Sequence, residues 1–434
     1  MTSEGQPPST ERSGQGRRRA PPEPSTDRPS ADVPASAHVP ASAAELVARI
    51  RAEIEASPDR RITFARFMER ALYEPGLGYY RRPADRPTQA GDFLTAPETH
   101  PIFGWTLARR IEAMWAELGR PSPFHLIEYG AGSGTLALAI LDGMGRHGAA
   151  PLLEAIRYEP VESNPNRLAD LERRFAEGGS RGRLARRKDV PGSASSAGGT
   201  AEPEAVPVTG AILANEFLDA LPVHRVVIRG GAVRELFVTR PVEAAGRAGT
   251  AAADRRSFVE VEAEPSTPLL AGRLADDGLE PGRLAEGQVL EICLDLAPWL
   301  DDVAARLGRG FALIVDYGYP AAELYGPRHL AGSLLGYRAH RVVDDPFEGI
   351  GRTDLTAHVD FTALAVLAER RGLRAASLET QSEFLVGAGL EAELRALQAS
   401  PETSVEDYLR ARSGIVRMLD PRHMGRFRVL TLAR

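Results

Sequence analysis

The chain has 434 residues, 43% of them hydrophobic and 26% charged, and a formal net charge of -6. That length holds one large α/β domain with insertions or two to three domains, and the ordinary composition excludes a wholly disordered chain. No run approaches the ~18 uninterrupted apolar residues of a membrane helix, and the acidic balance argues against broad nucleic-acid binding, which needs clustered positive charge.

Residues 1–42 are rich in Pro, Ser, Arg and Glu and nearly empty of large apolar side chains. Such a segment cannot bury enough surface to offset its chain entropy and reads as a disordered tail. A helical element is expected over residues 43–120. It holds "AELVARIRAEIEAS", with Leu46, Val47, Ile50 and Ile54 on one face; "RITFARFMERALYEP", capped by Thr63 and stopped at Pro75; and "PIFGWTLARRIEAMWAELG" after Pro101.

From residue 121 the pattern changes to short apolar runs alternating with helical stretches. Candidate strands are "FHLIEY", "AIRYEPVE", "GAILA", "VHRVVI", "QVLEICL", "FALIVDYG" and "FRVLTL". The expected fold is α/β: a Rossmann-like, mostly parallel sheet with crossover helices and an antiparallel C-terminal strand. Residues 191–207, 240–256 and 265–287 read as surface insertions into this domain of residues 121–434.

The single cysteine, Cys293, lies in the apolar run "QVLEICLDL" and reads as a small buried hydrophobe, with a reactive thiol as the alternative. It cannot form an internal disulfide, and the nine histidines lack zinc-site spacing, so no metal is expected. These features point to a reduced, cytoplasmic protein.

The most informative stretch is "FHLIEYGAGSGTLALAIL". In an open α/β sheet a glycine turn after a strand lets a ligand approach the backbone and the following helix N-terminus. Gly130, Gly132 and Gly134 make that turn, but Thr135 stands where a dinucleotide fingerprint needs glycine, and no GK[ST] phosphate loop follows. Glu128 would repel a pyrophosphate at close range and attract an ammonium group, directly or through water. S-adenosylmethionine fits, because it has no phosphate, a cationic amino-acid end, and ribose hydroxyls for a second carboxylate. Glu162, after "AIRYEPV", suits that second role, and Asp189 is a weaker candidate near the adenine.

With these residues in hand the chain resembles the MidA-like methyltransferases. In that bacterial and mitochondrial family, mitochondrial members assist respiratory complex I assembly by methylating an arginine of one of its subunits. The motifs that carry the resemblance are "GLGYY", "GDFLTAPETHPIFG", "IEYGAGSGTL", "VESNPNRL", "ANEFLDALPVH", "LIVDYGYP" and "YRAHRVVDDPFEGIGRTDLTAHVDF", in that order between residues 76 and 361. Ala131 and Ser133 depart from the family's usual "ELGPGRGT". The resemblance implies S-adenosylmethionine as cofactor, a protein arginine as methyl acceptor, a complex I subunit as partner, and Asp92 and Thr95 as walls of the cofactor pocket.

Methyl transfer needs a lone pair held at the sulfonium carbon, so positioning is the main task. A guanidinium is best held by carboxylates. "ANEFLDALP" follows an apolar run and puts Asn215, Glu216 and Asp219 at a strand's carboxyl end. Its pattern is analogous to the S-E-W loop of arginine methyltransferases; the competing reading makes Glu216 a surface acid and Asp219 a helix cap. Asp316 and Tyr317 end another strand and are expected on the acceptor side, where Tyr317 and Tyr319 offer faces to a cation. His358 near Asp360 suggests a proton relay, or Asp360 simply caps the next helix. A small-molecule methyltransferase and a non-catalytic assembly factor remain the competing functions.

Overall fold

The computed structural model describes residues 41–82, 95–184, 206–241 and 257–434. The expected tail up to residue 40, Asp92, Asp189, and most of the stretches 191–207 and 240–256 lie outside the described residues.

The main sheet has six strands in the spatial order Arg374–Thr380, Arg428–Ala433, Leu307–Asp316, Val208–Asn215, Phe124–Tyr129, Ile156–Val161. The last four run parallel, and Arg428–Ala433 is antiparallel to both of its neighbours. The protein is thus an α/β fold with mixed sheets. Burial explains the sequence pattern: Leu307–Asp316 and Val208–Asn215 are continuously buried through their centres because helices cover both faces. On one face the helices Ile102–Glu117 and Thr135–Arg146 pack with Phe103, Leu107, Met114 and Ile140. Their approach is so close that a Cβ on Gly104 would sit 2.4 Å from that of Ala139. On the other face the helices Leu296–Arg306 and Phe361–Glu369 bury Trp299, Leu300 and Leu364.

Two candidate strands leave this sheet. "VHRVVI" and "QVLEICL" were expected in the mostly parallel array, but His224–Arg229 and Val289–Ile292 belong to a second, antiparallel sheet with Arg61–Thr63, Ala232–Thr239 and Val259–Ala263. The physical reason is local. Gly230 and Gly231, both at positive φ (55° and 75°), close a two-residue hairpin that can join only antiparallel neighbours. The stretch 265–287 also differs from a surface insertion, since its helix Leu269–Asp276 buries Leu270 and Leu274 against Val226, Ile228 and Leu290 of the second sheet.

Of the three N-terminal helices, Ala41–Ala56 and Phe64–Tyr73 pack with the second sheet through Leu46, Ile50, Phe64, Phe67 and Val238. Thr63 caps the latter helix by accepting from the Arg66 amide. A small sheet of Leu335–Arg338, Arg341–Val343 and Asp354–Thr356 completes the part that concerns the site.

This topology sets the functional edge. The strand Phe124–Tyr129 has Ile156–Val161 on one side and Val208–Asn215 on the other, so the chain reverses its direction of winding there. Ligands of open α/β sheets bind at such a reversal, beyond the strands' carboxyl ends. Tyr129 pairs with both Val161 and Ala214, and Asn215 with Val315, so the residues that follow all four strands lie in one row.

Candidate active site

The glycine turn is built from backbone outward. The Gly130 and Ala131 amides donate to the Val161 carbonyl at 2.9 and 3.4 Å, which ties the turn to the neighbouring strand. Gly132 has φ +54°, a left-handed conformation that side chains rarely adopt, and a Cβ built there would meet nothing nearer than the Gly130 carbonyl at 3.9 Å. Its open side is the space a ligand needs. Gly134 is different: a Cβ there would lie 2.9 Å from Leu171, so that glycine serves packing.

The two expected carboxylates converge on this turn from different depths. Glu162 stands on it, with Oε2 accepting from the Gly132 amide at 2.9 Å and Oε1 from the Asn164 amide at 2.7 Å. Glu128 lies beneath, 4% exposed, and accepts the Tyr158 hydroxyl at 2.7 Å. Burial pushes it up to about 7, the Tyr158 hydrogen bond opposes, and the charge of Glu162 adds to the rise. Glu128 is therefore a buried acid under the cofactor turn and not part of an open wall. Sequence reasoning missed Arg174, which donates to the Ser133 carbonyl at 2.8 Å and to the Ser133 and Thr135 hydroxyls at 3.1 and 2.9 Å. The family pattern puts arginine at 133; here a guanidinium reaches the turn from the helix Pro165–Glu177.

Beside the turn, the strand Val208–Asn215 runs out into Glu216, whose φ of 48° is left-handed and costs roughly 1–2 kcal/mol for a residue with a Cβ. Its amide donates to the Val315 carbonyl at 2.8 Å, and its side chain accepts from the Ala96 amide at 3.1 Å and from Asn215 Nδ2 at 3.3 Å. Burial pushes Glu216 up to about 8; the Ala96 amide holds it back, and Asp316 adds to the rise. Asn215 Oδ1 is a buried acceptor with no partner among the described residues. Asp219 is raised well above the usual range by burial and then by Asp316, Asp354 and Glu216, all of them acids. Neither Glu216 nor Asp219 caps a helix.

Asp316 was expected to touch the acceptor, but it is fully buried behind this wall. Its Oδ2 accepts the Phe217 and Leu218 amides at 3.1 and 2.8 Å, and its Oδ1 the Tyr317 amide at 2.8 Å, so it braces the backbone on either side of the site. Burial raises it to about 7 against the pull of those amides. The helix Ala96–Thr99 comes to Glu216 through the Ala96 amide, next to Thr95.

Tyr317 and His358 form an aromatic group. Their rings stack at 5.4 Å, Tyr319 lies edge-on to His358 at 5.4 Å, and Arg426 covers Tyr317 at 5.3 Å. His358 is lowered to about 4 by burial, with His329 and Arg426 acting in the same direction, so it is neutral near pH 7. Asp360 caps the helix Phe361–Glu369 by accepting the Ala363 amide at 3.0 Å. Of the two readings of this pair, relay and cap, the cap is the one formed.

Asp354, which sequence reasoning missed, completes the acid pocket with Glu216 and Asp219. Asp354, 8% exposed, accepts the Tyr80 hydroxyl at 2.7 Å, and Tyr80 stacks on Tyr73 at 5.6 Å. Among the described residues no group of three or more His, Cys, Asp or Glu is placed to hold a metal ion.

An α/β sheet that reverses at a bare glycine turn, with an acid just past the next strand, is an architecture that binds nucleosides. The model of the S-adenosyl-L-methionine-dependent methyltransferase family matches residues 106–378, and the chain belongs to that family. It is an enzyme whose cofactor is S-adenosylmethionine, and the open side of Gly132 together with Glu162 fits that group. The sequence is 29% identical to the protein arginine methyltransferase NDUFAF7 homolog, mitochondrial, of Drosophila melanogaster, over 94% of this chain and 89% of that protein. It is 28% identical to the Homo sapiens protein arginine methyltransferase NDUFAF7, over 84% and 78%. A Burkholderia thailandensis protein solved with S-adenosyl-homocysteine bound is similar in structure, with TM-score 0.75, 29% identity, and 91% of this chain and 93% of that one covered.

Proposed function

We propose that this methyltransferase acts on the guanidinium of an arginine in a protein substrate, with Glu216 and Asp219 as the groups that hold it. The observation that carries this reading is the acid pocket beside the cofactor turn: Glu216 and Asp219 follow the carboxyl end of the strand Val208–Asn215, and the Tyr73–Tyr80 stack ties Ala220, next to Asp219, to Asp354. Such a cluster is self-repulsive when empty and is relieved by a cation.

The bound cofactor supplies an electrophilic methyl on a sulfonium. The chain's own residues do the rest. Carboxylates accept the guanidinium N–H groups and fix its plane, and the buried setting strengthens that grip. Glu216, ionised once the bound cation has displaced its proton, is placed to take the proton that the substituted nitrogen releases. Asn215 Oδ1 offers a further acceptor for an N–H group. Glu162 would hold the ribose hydroxyls, accepting from them through lone pairs its backbone donors leave unused. The relatives named as protein arginine methyltransferases support the acceptor, and a subunit of respiratory complex I is the protein that the family resemblance implies.

The test is incubation of the full chain with radiolabelled cofactor and a cell lysate that contains complex I subunits, followed by mass spectrometry of the labelled products. Methylated arginine in a protein is the expected result. Label found only in small molecules overturns the assignment.

A further inference from the structure

The stretch "GLGYYRR" continues no helix or strand of its own, yet it is fastened at both ends. On one side it folds back on the helix Phe64–Tyr73, where the Tyr79 and Tyr80 amides donate to the Ala71 and Leu72 carbonyls at 3.0 and 2.9 Å. On the other side it is gripped by the turn after Ile156–Val161. Asn164 Nδ2 donates to the Tyr80 carbonyl at 2.7 Å and to the Arg82 carbonyl at 3.2 Å, and Arg81 donates to the Ser163 carbonyl at 2.6 Å.

Asn164 is 2% exposed and starts the helix Pro165–Glu177, with Oδ1 accepting from the Asn166 amide at 3.0 Å. Capping alone needs only that oxygen, and aspartate would supply it equally well. The amide nitrogen does something else, because only a donor can face two backbone carbonyls in a buried place.

The bonds join end to end. The Gly132 amide donates to Glu162 at 2.9 Å, the Asn164 amide to the other oxygen of Glu162 at 2.7 Å, Asn164 Nδ2 to the Tyr80 carbonyl at 2.7 Å, and the Tyr80 hydroxyl to Asp354 at 2.7 Å. Four short bonds thus connect the cofactor turn to the acid pocket.

We propose that Asn164 and Tyr80 are positioning residues that couple the two sites, so that occupancy of the cofactor turn sets the acceptor pocket's wall through Glu162, Asn164, Tyr80 and Asp354. This rests on the reading of Glu162 as the ribose acid and of the acid pocket as the acceptor site. A ligand that donates to Glu162 holds its carboxylate in one orientation, which holds Asn164 and its grip on residues 80–82, which in turn holds the Tyr80 ring and Asp354. By linkage a cation in the pocket tightens the cofactor site by the same factor, and such couplings are typically about 5–150-fold.

The test uses the full chain, S-adenosyl-homocysteine, and the peptide acetyl-Gly-Arg-Gly-amide. Hydrogen exchange over residues 76–82 is expected to slow when S-adenosyl-homocysteine binds the wild type, and the same ligand is expected to leave those amides unchanged in Asn164→Asp, which keeps the helix cap. In calorimetry the peptide should tighten S-adenosyl-homocysteine by ~10-fold in the wild type and by less than ~2-fold in Asn164→Asp and in Tyr80→Phe, which keeps the ring stack. Unchanged exchange over residues 76–82 in the wild type with S-adenosyl-homocysteine bound overturns the coupling. So does Asn164→Asp behaving as the wild type. A peptide that fails to bind while exchange still slows overturns the arginine reading and leaves the coupling standing.

Discussion

Glu216 combines two costs that a structural residue would shed: a left-handed backbone and a carboxyl held among other acids. Strain of this kind persists where a side chain must point in one direction. Replacing it with glutamine keeps the shape and removes the charge that the guanidinium requires. Glu216→Gln is expected to lower kcat by roughly 10²–10³-fold, the range for loss of one preorganised electrostatic contact. The Kd for S-adenosyl-homocysteine, read by calorimetry, should change little. Gly132→Val should do the reverse, forcing a β-branched residue into φ +54° and filling the open side of the turn. Cofactor binding is expected to disappear in calorimetry while circular dichroism stays that of the wild type. At this scale the turn was legible from spacing, because glycine at every second position has few uses. Asp354 and Asn164 were not legible. Their bonds to Tyr80 span 274 and 84 residues, and nothing local marks either as part of a site.

The elements divide by the kind of signal each leaves. Strands buried on both faces announce themselves as apolar runs, and the runs that form the main sheet, from the parallel "FHLIEY" to the antiparallel "FRVLTL", are of that type. An apolar run does not carry direction, which is why His224–Arg229 and Val289–Ile292 were assigned to the wrong sheet; the Gly230–Gly231 hairpin was the available clue. The edge strand Arg374–Thr380 left no run because it alternates exposed and half-buried positions. The helix Phe64–Tyr73 ties the second sheet to the acid pocket. Its Phe67 is fully buried, with ring contacts to Phe64, Phe258 and Phe347 at 5.6, 5.8 and 5.1 Å. Its last residue, Tyr73, stacks on Tyr80 and donates to the Ala220 carbonyl, next to Asp219. Phe67→Ala is expected to cost about 3–5 kcal/mol in urea unfolding through the cavity it leaves. In the folded variant the acceptor KM should rise more than the cofactor KM, since the loosened helix carries the tyrosine wall and not the glycine turn.

Across the whole molecule, the site's acids tilt the pH dependence of stability in an unusual direction. Paired carboxylates ordinarily sit below their unfolded values and lose their contribution in acid. Here Glu216 stands at about 8 against an ordinary 4.5, Asp316 at about 7 against 3.8, and Glu128 at about 7 against 4.5. Between the ordinary and the folded values the native state binds more protons than the unfolded chain, so the stability these groups carry declines as pH rises. It is fully present below the unfolded values and is lost by the time pH passes about 8. The ligand-free protein should therefore melt at a lower temperature at pH 8.5 than at pH 6, and Glu216→Gln should flatten that slope. A cation in the pocket demands ionised carboxylates, so binding of an arginine peptide must release protons, and its affinity should climb with pH until about 8 and then level. Calorimetry in buffers of different ionisation enthalpy measures that release directly. A melting temperature that rises from pH 6 to pH 8.5, or peptide binding that takes up protons, would show that the acids are paired within the protein and are not waiting for a cation.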